Sequence, residues 1–297
     1  METSLYVIIL LVTLALLFDF MNGFHDAANA IATIVSTGVL RPGQAVALAA
    51  IFNMAAFFVF NLSVAKTIGK GTIDPSVIDH YVVFGALVGA IFWNLVTWYF
   101  GIPSSSSHAL IGGLIGAAVA KEGTGALIAA GLYKIITFIV LSPLIGFILG
   151  SLLMLIVSWI FVRTTPLKVD KWFRRLQLVS ASAFSLGHGG NDSQKTIGII
   201  WLILISGGYV SSTSTSPGYW VVLACYSAIA LGTIKLNTFF LFGICFNPSF
   251  TKYSPGILLL NNLTSSLKYK YRVKIIFEPG KSNDNVSSLT FPDIFLK

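Results

Sequence analysis

The chain has 297 residues, of which 55% are hydrophobic and only 10% charged, with a formal net charge of +8 and a mean hydropathy of +0.83. Soluble domains hold about 25% charged residues, so the composition excludes an ordinary soluble protein and points to an integral membrane protein. Cys225 and Cys245 both lie in apolar sequence; they are too few for a disulfide framework and read as packing residues.

The first apolar run, 3–24, is long enough to cross a bilayer, which takes roughly 20 residues. Glu2 stands where a signal peptide would be basic and no small-residue cleavage site follows, so the run is expected to be retained as a spanning helix. It leads into "NGFHDAANAIATI" (22–34), and further spans are expected over 44–65 and 81–100. Then comes "GIPSSSSHALIGG" (101–113). Pro103 interrupts a helix there, and Ser104, Ser105, Ser106 and Ser107 with His108 precede a run of small residues. Serine hydroxyls and free N–H groups at a helix N-terminus form an anion site. An ordinary N-cap needs one serine, and four in succession favour the anion reading. His108 could titrate near neutrality, but a structural hydrogen bond is the favoured reading.

The long run 125–162 is broken only by Lys134 and Pro143, which suits one tilted helix or two bent at the proline. The basic segment "RTTPLKVDKWFRR" (163–175) is expected to be a cytoplasmic loop by the positive-inside rule. Three apolar pieces, 109–120, 176–186 and 197–209, are too short to span, and each adjoins a polar motif. That is the pattern of interrupted helices around a transporter site, where freed backbone groups must line a cavity or pack inside protein. The last span is 219–246.

"HGGNDSQKTIGII" (188–200) aligns with residues 22–34 at a constant offset of 166, pairing Gly23 with Gly189, Asp26 with Asp192 and Ile31 with Ile197. His25 meets Asn191, so a polar residue precedes the aspartate in both copies. A carboxylate at the centre of a span costs about 2.5–3.5 kcal/mol on insertion scales, so Asp26 and Asp192 are expected to face a partner or an aqueous cavity. Helical spacing puts Asn22, Asp26 and Asn29 on one face, and likewise His188, Asp192 and Lys195. One carboxylate among neutral amide oxygens suits Na⁺ or a carried proton. Gly187, Gly189 and Gly190 permit backbone breaks or close approach. Lys195 either neutralises an anion or pairs with Asp192.

"DFMNGFHDAANAIAT", "GIPSSSSHALIG" and "HGGNDSQKTIG" together closely resemble the signatures of the inorganic phosphate transporter family, its bacterial low-affinity permeases in particular, over residues 1–233. The resemblance implies a transporter rather than an enzyme. The fold it implies is all-α: a multi-pass transmembrane helical transporter with inverted repeats and broken or re-entrant helices. It also implies symport of phosphate with Na⁺ or H⁺, or of a metal–phosphate complex. On matching positions, Ser104 to Ser107, Asn29, Asn191 and Gln194 would bind phosphate, and Asp26, Asp192 and Asn22 would couple the cation. His25, His108, His188 and Lys195 would be accessory. No cofactor is implied beyond the coupling ion, and no metal beyond transported Na⁺. The expected partners are phosphate, the cation and the lipid bilayer of the inner (plasma) membrane; the chain is a candidate homodimer with no nucleic-acid partner. A sulfate permease of the same fold is the nearest alternative.

The implied organisation is a first repeat over 1–162, the basic loop 163–175, a partial second repeat over 176–246 and an atypical tail over 247–297. From Ile234 the resemblance stops. Net charge is +3 over residues 1–234 and +5 over 235–297. No histidine follows His188, so the Ser/Thr–His motif expected in a second repeat is absent. Out-of-frame or fused sequence accounts for this better than a dedicated cytoplasmic tail, and it opens the alternative of a truncated, transport-inactive fragment.

Overall fold

In the computed structural model the apolar runs become helices, and the described residues are 4–60, 72–100, 102, 104–211, 214 and 216–246, with side chains of 75 and 236–246 left out. Among the described residues seven α-helices follow one another: α1 (Leu5–Ser36), α2 (Pro42–Val59), α3 (His80–Phe100), α4 (Ser106–Glu122), α5 (Ala129–Phe161), α6 (Pro166–Ser206) and α7 (Tyr219–Phe246). Four of them, α1, α2, α3 and α5, are long and apolar enough to span a membrane by length and composition. Among the described residues the only strand-like pairing is a bridge between Ile73 and Leu127. The tail over 247–297, Pro103 and the end of the expected 44–65 span lie outside the described residues.

The expected breaks at the aspartate motifs are absent. Helix α1 runs through residues 22–34, and α6 runs unbroken for 41 residues, joining the two pieces read as separate over 176–186 and 197–209. A continuous helix keeps its backbone bonds internal, which lipid demands, and Gly189 and Gly190 serve close packing instead. Pro143 likewise sits inside a single α5. The basic segment expected as a loop is mostly the start of α6, where Arg174 pairs with Asp170 at 2.8 Å, one turn earlier. The interruption that remains lies between α3 and α4, where Ser104 and Ser105 are non-helical.

The core is a bundle of α1, α2, α6 and α7, with the α3–α4 pair laid against α1. Its packing crosses the repeats: α1 lies chiefly on α7, and α6 on α2. Glycine permits both approaches. A Cβ at Gly23 would stand 2.1 Å from the Ile229 carbonyl oxygen of α7, and one at Gly189 would stand 2.6 Å from that of Asn53 on α2. The two receiving helices are tied where they meet, since Asn53 Nδ2 donates to Thr233 Oγ1 at 3.0 Å. Ile8, Leu11, Phe18, Ile197, Ile200, Val221 and Tyr226 fill the bundle interior. Helix α5 has no buried residue, as suits an apolar helix facing lipid.

Candidate functional site

The two aspartates meet where α1 and α6 face each other. Asn22 Nδ2 on α1 donates to Asp192 Oδ2 on α6 at 3.1 Å. In the reverse sense His188 on α6, the residue 166 positions after Asn22, brings Nε2 to 3.6 Å from Asp26 Oδ2 and 3.3 Å from Asp192 Oδ2. Each repeat thus lends a polar side chain to the other's aspartate. The residue before each aspartate bonds to it as well: His25 Nδ1 lies 2.9 Å from Asp26 Oδ1, and Asn191 Nδ2 donates to Asp192 Oδ1 at 3.4 Å. One ligand atom each from Asp26, His188 and Asp192 falls within 4.8 Å of the others, close enough to share a cation. His188 Nδ1 is held 3.4 Å from Asn53 Oδ1, which orients the ring.

The four serines take four different roles. Ser105 is the N-cap of α4, accepting the His108 amide at 3.4 Å, and its neighbours are not needed for that. Ser104 Oγ accepts the Trp93 indole N–H at 3.2 Å. Ser106, buried, reaches Asn22 Oδ1 at 2.6 Å and Asp26 Oδ2 at 2.9 Å. Its single proton can satisfy only one of those acceptors at a time. Ser107 Oγ accepts from Lys195 Nζ, which also donates to Asp192 Oδ1 at 2.5 Å. The N-terminus of α4 therefore abuts the acidic pair. The positive end of the helix dipole favours negative charge there, whether from Asp26 or from an incoming anion.

A profile of the phosphate transporter family matches residues 22–237, well over half of the chain. The chain belongs to the phosphate transporter family. It is 61% identical over 224 residues to a probable low-affinity inorganic phosphate transporter of Rhizobium meliloti, covering 75% of this chain and 67% of that protein. It is 49% identical over 235 residues to a protein of the same description in Bacillus subtilis, covering 78% and 70%. Among solved structures, a sodium-dependent phosphate transporter superposes with a TM-score of 0.65 at 18% identity, covering 88% of this chain and 85% of that one; at that identity the likeness speaks for the fold. Family members are transporters, not enzymes, and the family match stops at residue 237, close to Ile234 where the resemblance read from the sequence ends.

Of the family-motif residues, Asn22, Asp26, Asp192, Asn191, His25, His188, Lys195, Ser106 and Ser107 converge on this cluster, while Ser104 and Ser105 lie beside it. Gln194 is buried at 2% exposure, with partners of its own. Asn29 is exposed on α1. His108 is exposed, and its backbone amide caps the helix start. Sequence reasoning missed Asn53, Thr97 and Thr233, which orient cluster residues: Thr97 Oγ1 lies 3.5 Å from His25 Nε2, and Asn53 links His188 to Thr233. All three lie in apolar spans that also show no repeat signal. A search for polar residues at the centre of each span would have found them.

Proposed function

We propose that this chain carries inorganic phosphate across the plasma membrane by symport with a monovalent cation, Na⁺ or H⁺. The observation that supports this most directly is the Lys195 ammonium, which joins Asp192 to Ser107 and so makes the acidic pair and the serine-lined helix start one continuous site. Phosphate oxygens would accept from Ser106 and Ser107 and from the free N–H groups of α4, with Lys195 as a fixed positive charge. A cation between Asp26 and Asp192 would offset the charge of the anion and take over the contacts that Ser106 makes with Asn22 and Asp26. Rocking of one repeat against the other, across the α1–α7 and α6–α2 contacts, would then open the site to each side in turn. A homodimer, and inner-membrane residence with the start of α6 at the cytoplasmic face, complete the proposal.

The test is uptake of radiolabelled phosphate by cells lacking their own phosphate transporters. Uptake by this chain, abolished by Asp192→Asn with the protein still in the membrane, supports the reading. No uptake above empty cells, despite verified insertion, refutes it and favours a transport-inactive fragment. Competition by sulfate that does not vary with pH would assign the site to sulfate instead.

A further inference from the structure

Asp19 is the most deeply buried acid described in the chain and takes no part in the cluster above. It lies on α1 one turn before Asn22, is 0% exposed, and neither carboxyl oxygen has an ion-pair partner among the described residues. On α6 it faces the hydroxyls of Thr196 and Ser193 and, through space, the Asp192 carboxylate and the His188 imidazole; on α7 it faces Cys225 and Tyr226. Ser193 Oγ and Thr196 Oγ1 are themselves buried and turned to Asp19, while the Tyr226 hydroxyl is turned to Gln194. One carboxyl and two α6 hydroxyls are thus closed in together, with no charged group among them.

No facing cation pairs with it directly. Asp192 repels a second carboxylate and is itself occupied by Lys195 and Asn22, while His188 is turned to Asp26 and Asp192. An ionised carboxylate so placed, unpaired and away from water, is among the costliest arrangements a protein can hold. The neutral acid has no such cost: its O–H can donate to one hydroxyl oxygen while its carbonyl oxygen accepts from another. Asp19 also lacks a counterpart. The residue 166 positions on, Ser185, is equally buried but donates to the Ala181 carbonyl of its own helix at 2.9 Å. The two-carboxylate cluster suited to sharing a cation does not include Asp19, which suits a proton instead.

We propose that Asp19 is a proton-binding site of this transporter, its carboxyl neutral while the α1–α6–α7 interface is closed and releasing H⁺ to water when that interface opens. The proton enters from one aqueous side, binds a carboxylate oxygen and leaves from the same oxygen to the other side. This rests on the phosphate symport reading for the cargo, but the protonated carboxyl can be observed without it.

Two measurements on the full chain in lipid test the proposal. Infrared difference spectra should show the C=O stretch of a buried, protonated carboxyl at neutral pH, lost in Asp19→Asn and displaced in Asp19→Glu. In proteoliposomes at fixed external pH, an imposed inward proton gradient should raise labelled-phosphate accumulation by up to about tenfold per pH unit for one proton. Asp19→Asn should not respond to the gradient, and Asp19→Glu should regain the response. Absence of the band from the unsubstituted chain, or its persistence in Asp19→Asn, overturns the protonated site. Gradient-driven accumulation by Asp19→Asn overturns the coupling role, and accumulation driven only by Na⁺ and abolished by Asp19→Asn replaces the proton with sodium. A chain that moves no phosphate at all counts against the transport reading, and the infrared result still decides the site.

Discussion

The two aspartates occupy equivalent places in the repeat and have unlike company. Asp26 is surrounded by groups that need carry no charge: the His25 and His188 rings and the Ser106 hydroxyl. Asp192 has the Asn22 amide, His188 and a permanent cation, Lys195. The position equivalent to Lys195 in the first repeat is Asn29, which is exposed. One aspartate is thus held in an ion pair and the other is not. The site is asymmetric in chemistry although the two motifs align in sequence.

The largest effects should come from the scaffold that both halves share. Gly23→Ala drives a methyl into the α7 backbone and Gly189→Ala drives one into α2, at 2.1 and 2.6 Å. Backbone cannot rotate aside, so the cost should exceed the ~1–3 kcal/mol of ordinary overpacking. Both should lower folded yield and Tm in detergent, Gly23→Ala more. Gly190→Ala, whose methyl would meet only the Phe60 ring, should be milder; equal losses at all three would mean that the crossed packing does not hold the bundle.

Next in size is the contrast between the aspartates. Asp192→Asn strands the Lys195 charge, and breaking a buried pair in this way costs about 3–5 kcal/mol, so phosphate uptake should fall a hundredfold or more. Asp26→Asn strands no fixed charge and should leave the protein more stable than Asp192→Asn does, as thermal unfolding would read. The reverse order of stability would remove the asymmetry argued above. Lys195→Gln against Asn29→Ala sharpens the same point. The first should raise the KM for phosphate about tenfold or more, through loss of a charge-assisted contact, and the second should change it less than about twofold; matching effects would place Asn29 back in the site.

The smallest effect lies outside the cluster, at the start of α3. Lys121 Nζ is 3.0 Å from Asp79 Oδ2. Partial burial alone would raise the Asp79 carboxyl, but the Val82 and Tyr81 amides and the Lys121 ammonium hold it below the usual carboxylate range. A lowered folded-state value stabilises above the unfolded one, about pH 3.9, and that contribution fades as pH falls below it. Asp79→Asn should cost at most about 1 kcal/mol at neutral pH and less at pH 2, as chemical denaturation at the two pH values would detect.

Much of this molecule is legible in the chain. The spans, the offset of 166 and both aspartates with their preceding partners follow from hydropathy and repetition, because a bilayer imposes length and apolarity on each helix. The glycines of the second motif misled. They signal flexibility in a sequence, but in the bundle they let helices touch while the backbone stays helical. Asn29 misled for a different reason: it keeps the same side of α1 as Asn22 and Asp26 but is exposed there.

The sequence by itself determined that this is a membrane-spanning, helical chain of the phosphate transporter family with two aligned aspartate motifs, since those properties are written in local composition and in short motifs. Tertiary structure alone decided which serine meets which acid, that Lys195 binds across to Ser107 88 residues away, and that Asp19 is enclosed without a counter-charge. Charge pairing and burial depend on which helices cross, and that depends on contacts between residues far apart in the chain.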